Sequence, residues 1–363
     1  MSTAPRREPL LRVVSRPEKS PRQVLLLRLE SVLLSLAAGG IFILLIGYNP
    51  FEIYATILSG AFRSKMAVQA TVKYAVPLVI ASLGVTLAFR MRFWNIGAEG
   101  QIIMGAVFAS YFALFHAGWN HWLLIAVMLL AGALGGGLWG LIPALCKVRW
   151  NTNETLFTLM MNYVATAIVA CTVNILRGQA SSLGKLNKGT KAGWFPRIFG
   201  QYFTINIIVV VLLMVLMYVY LKYSKQGYEI SVVGDSENTA RYAGINVKKV
   251  TIRTMAISGA ICGLAGFIAV AGASHTISTS TAGGRGFTAI IVAWLAQFNT
   301  FVMILISFLL VFLQKGAIQI ASQFNLNDYA SNIITGIILF FILGSEFFIN
   351  YRIILRGGKE GAK

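Results

Sequence analysis

Among the acidic residues inside or beside the long apolar runs of this 363-residue chain, Glu99, Glu154 and Glu346 stand out. A carboxylate in such surroundings must be paired, hydrogen-bonded or turned to water, so each is a candidate for binding or proton chemistry. Glu99 stands in Asn95-Ile96-Gly97-Ala98-Glu99-Gly100-Gln101, where glycines and polar groups interrupt an apolar stretch. It either pins the broken backbone or lines a cavity. Glu154 suits a helix's first turn, with Asn151 as the cap, and Glu346 reads as interfacial. Asn162 follows Met160 and Met161 in an apolar run, and its amide must bond across helices or to a solute. Patterns for catalysis are missing. His116, His121 and His275 lack metal-ligand spacing. Gly178 to Gly184-Lys185 has one residue too many for a phosphate loop and continues into Leu186. No serine-hydrolase elbow occurs, and Asp235 and Asp328 are the only aspartates. No catalytic residue, metal or cofactor is expected in the chain.

The elements that must position these residues are membrane helices. The chain is 57% hydrophobic and 12% charged with mean hydropathy +0.72, where soluble proteins carry roughly 25% charged residues. A span needs about 20 apolar residues to cross about 30 Å of hydrocarbon. Apolar runs lie near 30–47, 70–89, 98–116, 122–146, 155–176, 204–221, 253–272, 287–298, 301–315 and 331–350. They predict an all-α, polytopic membrane helix bundle of about ten transmembrane segments. Merging the short pair 287–298 and 301–315 into one broken helix gives nine. No run begins at the extreme N-terminus, which reads against a cleaved signal peptide. Residues 1–29 form a basic tail, 30–350 the transmembrane domain and 351–363 a second tail, with loop 177–203 external and loop 222–252 cytoplasmic.

With ten runs and both tails inside, 21 of the 31 Lys and Arg fall on the cytoplasmic side, as positive residues are retained there. The net charge of +19 is then an orientation signal and not a nucleic-acid footprint. Arg177, Lys185, Lys188, Lys191 and Arg197 resist this sorting, because they lie in the external loop. A locally folded or anion-facing surface would account for them. Cys146, Cys171 and Cys262 fall in or beside apolar runs, so no disulfide framework is expected.

Trp94, Trp119, Trp122, Trp150 and Trp194 sit at run boundaries, where an amphipathic ring suits the headgroup layer; Trp294 lies inside a run. Gly132, Gly136 and Gly140, and Gly259 with Gly263, recur every four residues and predict close helix seams. Two further glycine-rich stretches differ because polar groups accompany them: 95–101 and Gly283-Gly284-Arg285-Gly286-Phe287. Freed backbone groups are tolerated at membrane depth only against protein or a water-filled cavity. Paired interruptions are therefore a pointer to a transport path, with Asn95, Glu99, Gln101, Asn162, Phe287 and Trp294 as candidate path residues. The cytoplasmic loop predicts a short helix over 235–244, capped by Asp235 or Ser236 and stopped by Gly244. Such a helix suits docking to a separate motor, or lies along the membrane surface.

The run Phe93-Trp94-Asn95-Ile96-Gly97-Ala98-Glu99-Gly100-Gln101 resembles a hallmark of permease subunits of bacterial ABC importers for nucleosides and simple sugars, within the ribose and branched-chain amino acid permease group. Asn153-Glu154-Thr155-Leu156-Phe157-Thr158-Leu159-Met160-Met161-Asn162 looks like a second. Ala240-Arg241-Tyr242-Ala243-Gly244-Ile245, followed by Ile257 to Gly266, looks like a third, and the resemblance covers about residues 45–350. It implies a non-catalytic permease of the bacterial inner membrane that carries a nucleoside or a related small solute, with nucleoside, sugar and vitamin not told apart. The implied partners are a second homologous permease, an ATP-binding cassette subunit that binds the ATP, and an extracytoplasmic solute-binding lipoprotein. Asp235, Glu237, Asn238, Ala240, Arg241, Tyr242, Ala243 and Gly244 would then contact the ATPase. After Gly286-Phe287 the family continues toward Leu-Gly and a proline, whereas this chain has Trp294-Leu295-Ala296-Gln297-Phe298-Asn299-Thr300. An ion-coupled carrier with Glu99 at its ion site is the alternative.

Overall fold

The computed structural model describes residues 11–15, 20–60, 62–196, 198 and 204–355. Arg6, Arg7, Arg16 and Lys19 of the first tail, Arg197 of the external loop, and Arg356, Lys359 and Lys363 of the second tail lie outside the described residues. In chain order the elements are β1 (Leu11–Ser15), α1 (Pro21–Leu45), α2 (Pro50–Gly60), α3 (Lys65–Arg90), α4 (Ala98–Phe115), α5 (His121–Trp150) and α6 (Glu154–Arg177). There follow α7 (Thr204–Tyr223), α8 (Lys225–Asp235), α9 (Glu237–Tyr242), α10 (Val247–Ile268), α11 (Arg285–Leu295), α12 (Thr300–Phe324), α13 (Asp328–Asn350) and β2 (Tyr351–Leu355). A π-turn over Ala269–Ala273 extends α10.

Each expected apolar run contains a helix. Among the described residues, seven helices are long and apolar enough to cross a membrane: α3, α4, α5, α6, α7, α12, and α10 with its π-turn. The 11 residues of α11 reach only about 16 Å. Two features were not expected. Helix α2 forms after the break at Gly47 (φ 84), and it bends away from α1 by 117°. The described parts of the two tails are not simple extensions either. Helix α1 begins at Pro21, capped by Ser20, and β1 pairs antiparallel with β2, from Leu11 opposite Leu355 to Ser15 opposite Tyr351.

The chain divides into two units, one holding the described residues up to Arg63 and from Phe312 onward, the other Ser64–Val311. In the first, Ile43, Ile53, Ile57, Leu313, Ile320, Ile334 and Ile338 form an apolar core. In the second, α3 is the most enclosed helix, with 83% of its most apolar window buried. The predicted glycine seams face each other. A Cβ on Gly136 would meet the carbonyl of Gly259 and the backbone of Gly263, and one on Gly263 would meet the carbonyl of Gly132. On α4, Gly105 presses on Gly263 in the same way. Ser258 of α10 donates to the Gly84 carbonyl of α3 at 2.7 Å, tying the seam to the central helix. Without a hydrophobic drive between helices in lipid, this backbone contact is a main source of attraction.

Asn151 does not cap α6. It closes α5 in the left-handed region (φ 51), a conformation asparagine tolerates, and Asn153 accepts the Leu156 N–H at 3.1 Å instead. Glu154 pairs with Lys147 at 2.8 Å. Gly136→Ala is expected to destabilise the purified protein by about 1–3 kcal/mol through overpacking. Gly336→Ala, where a Cβ meets nothing within 4 Å, should leave stability unchanged or raised. Thermal unfolding in detergent measures both, and equal midpoints for the two variants would contradict the seam.

Candidate functional site

Helix α4 starts at Gly97 without a side-chain cap of its own, so its open N–H groups need partners from elsewhere. They find them locally and on α6. Asn95 Oδ1 accepts the Gly97 N–H at 3.0 Å, and Thr158 Oγ1 accepts the Ile96 N–H at 3.1 Å. Asn162 Oδ1 accepts the Gly100 N–H at 2.8 Å, while its Nδ2 donates to the Ile96 carbonyl at 2.9 Å. The Asn95 and Gln101 side-chain amides face each other at 3.4 Å. Asn95, Gln101, Thr158 and Asn162 are all buried. Of the two uses open to the Asn162 amide, the structure shows the one across helices. Thr158 was not singled out from the sequence, although it stands four residues before Asn162 and so shares its helix face.

The second interruption meets the first through Glu99. Its Oε1 accepts the Gly284 N–H and its Oε2 the Gly286 N–H, both at 2.7 Å. Gly284 takes φ 76 as the residue that opens α11, and it offers no cap itself. A Cβ on Gly286 would collide with the Glu99 backbone, so only glycine permits the approach. Arg285 turns away from these donors. Its Nη1 donates to the carbonyls of Thr281 and Ala282 at 2.9 and 3.1 Å, and its guanidinium lies 4.9 Å from the Tyr74 ring centroid. Further along α11, Trp294 stacks on Trp94 with centroids 6.0 Å apart and planes 26° apart, beside Phe89 and Phe298. Phe287 and Trp294 stay 43% and 46% exposed. The six candidate path residues thus divide: Asn95, Gln101 and Asn162 build a buried frame, Glu99 joins it to α11, and Phe287 and Trp294 present aromatic surface.

In the 222–252 loop, Ser236 accepts the Thr239 N–H at 3.3 Å and opens α9, and Gly244 at φ 76 follows its end. Asp235 is the last residue of α8, leaving the cap to Ser236. Ala240 is buried, whereas Tyr242 is 93% exposed and Arg241 pairs only loosely with Glu237 at 3.6 Å. Helix α8 fixes this corner to the bundle. Glu229 and Arg253 pair at 2.9 Å between α8 and α10, and Gly234 lies against the Arg90 carbonyl at the end of α3.

The basic loop after α6 is folded over its described residues. Leu183 and Leu186 donate their N–H groups to the carbonyls of Ile277 and His275 at 3.0 and 2.8 Å, and Phe195 donates to Ala271 at 2.9 Å. Leu183, Leu186, Ala192 and Phe195 are buried. Trp194 stacks on His275 at 3.9 Å and donates to the Leu186 carbonyl at 2.8 Å. It is therefore part of this cap and not a headgroup anchor. Lys185, Lys188 and Lys191 remain exposed on its surface.

Long apolar helices around a half-length helix whose end is capped by another element define a polytopic membrane protein of the transport type. Residues 67–343 match the family described as branched-chain amino acid transport system / permease component, and the chain belongs to that family. It is 30% identical to the guanosine ABC transporter permease protein NupP of Bacillus subtilis (strain 168), over 88% of this chain and 93% of the relative. It is 28% identical to a second guanosine permease protein of that organism, NupQ, over 61% and 72% of the two chains. The glucose ABC transporter permease protein TsgB13 of Haloferax volcanii is 26% identical, over 91% and 90%. The chain is a multi-pass permease component of the cytoplasmic membrane.

Burial lowers the His275 pKa from 6.5 to about 4, opposed by its Nδ1 bond to the Val270 carbonyl and aided by Lys73 and Lys185. Between these values the unfolded chain binds a proton that the packed ring refuses. The cap is fully stable above pH 6.5 and weakens as pH falls toward 4. The emission difference between the protein and its Trp194→Phe variant should report this loosening. His275→Phe should keep the stack and remove the pH dependence, and a dependence that survives it would contradict the assignment.

Proposed function

We propose that this chain is the path-forming permease subunit of an ATP-driven importer, and that its solute is a nucleoside or a related small, uncharged molecule. The observation that carries this reading is near-full-length similarity to a guanosine permease. The aromatic surface of Phe287 and Trp294 supports it, since a base can stack there. Transport runs by alternating access. A separate ATP-binding cassette subunit binds and hydrolyses ATP, and α9 is its coupling helix, presenting Arg241 and Tyr242. A second permease completes the path, a partnership supported by the two distinct guanosine permease proteins of one Bacillus among the relatives. A solute-binding lipoprotein docks on the outer face, where Lys185, Lys188 and Lys191 meet acidic side chains.

The chain crosses ten times in this reading, through α1, α3 to α7, α10, the 280–295 segment, α12 and α13, with both tails in the cytoplasm. Pairing of β1 with β2 supports an even number, because paired tails share one side of the membrane. An ion-coupled carrier with Glu99 at its ion site is the second reading; the backbone N–H groups that each Glu99 oxygen already accepts favour a structural role for it instead.

Proteoliposomes containing this chain, its ATPase and its binding protein test the reading with radiolabelled guanosine. Uptake should require internal ATP and survive collapse of ion gradients. Arg241→Ala with Tyr242→Ala should lower it at least about tenfold, since both side chains are exposed in the fold and their loss touches only coupling. Undiminished uptake in that variant would contradict the coupling assignment.

A further inference from the structure

We infer that Glu99 is a resident anion, a positioning residue whose carboxylate occupies the N-terminal end of α11, holds α11 on α4, and relieves the solute of supplying a negative group there. The open end of a half-helix within a bundle attracts anions, because its free N–H groups and dipole point at the gap. Discontinuous helices of transporters offer such ends to anionic solutes. Here the end is already filled from within the chain. The two Glu99 oxygens take one N–H each, from Gly284 and Gly286, at 2.7 Å. Three independent features hold the arrangement. Gly286 lacks the Cβ that would push Glu99 away. Gly284 takes the left-handed φ of 76. The charge of Arg285 is turned back on the Thr281 and Ala282 carbonyls and onto the Tyr74 ring, leaving the backbone donors to Glu99. On the other side, Gly100, the residue after Glu99, is fixed to Asn162 of α6. The carboxylate thus ties α11 to α4, the neighbouring backbone ties α4 to α6, and the two links together set the height at which Phe287 and Trp294 stand.

The consequence is chemical. Removing the carboxylate uncovers an anion site that the native protein does not offer. Two readouts test it, and the first stands without the transport reading. Amide exchange of the segment 283–287, followed by mass spectrometry in lipid nanodiscs, should be slow in the native protein and at least about tenfold faster in Glu99→Ala. Formate at tens of millimolar should restore protection in that variant, while formamide, of similar size and uncharged, should not. Neither additive should alter the native protein. Glu99→Gln keeps the shape with one good acceptor, and should protect one of the two glycine amides. The second readout is guanosine uptake, which should fall in Glu99→Ala and return with formate. Native-like protection in Glu99→Ala and Glu99→Gln, or equal rescue by formamide, overturns the inference. If the native protein fails to carry guanosine, the proposed solute falls, and the exchange data still decide the role of Glu99.

Discussion

Below the headgroups a backbone amide has no water to bond to, so every break in a helix must be answered by other protein groups. That constraint organises the centre of this chain. The break before α4 is answered by Asn95, Thr158 and Asn162, and the opening of α11 by Glu99. The answering residues come from different helices, so the breaks themselves become joints. Close approach is needed for such short bonds, and glycine at 97, 100 and 286 provides it. The seam of α5 and α10, built on Gly132, Gly136, Gly259 and Gly263, gives the joints a stiff wall to stand against.

Much of this was legible in the sequence. Apolar run length places most of the long helices, because the bilayer imposes its thickness on every span; the exception is α12, whose run 301–315 is short while the helix continues to Phe324. Glycine spacing marks the close-packing faces of α5 and α10, though not that they meet each other, and Asp235 or Ser236 with Gly244 announces α9 through local capping chemistry. Other features depend on partners distant in sequence. Nothing near Glu99 reveals that its acceptors' donors lie 185 and 187 residues away. The same holds for Trp194, whose boundary position suggests a lipid anchor until His275 is brought to its face. The capping of α6 was misplaced by two residues because Asn151 and Asn153 are both good caps, and only the length of α5 decides between them. Helix α2 is short, and its run of 11 residues fell below the length expected of a span.

The arrangement separates stiffness from exposure. Polar residues that resembled path groups, Asn95, Gln101 and Asn162, are enclosed and engaged. What remains open along α11 is aromatic, and on α9 every residue except Ala240 is exposed, Tyr242 most of all. Helix α9 is in turn held to the bundle through α8, whose Glu229 pairs with Arg253 of α10 and whose Gly234 lies against the end of α3.

The central claim is that the second break makes residues 280–298 cross as a loop followed by a half-helix, with Glu99 tying its middle. Sided labelling tests it most directly. With Cys146, Cys171 and Cys262 replaced, single cysteines at Thr279 and Gln297, both exposed, are offered an impermeant maleimide from either face of the membrane. The account predicts that Thr279→Cys reacts from outside and Gln297→Cys from the cytoplasm. Labelling of both from the same face would contradict it.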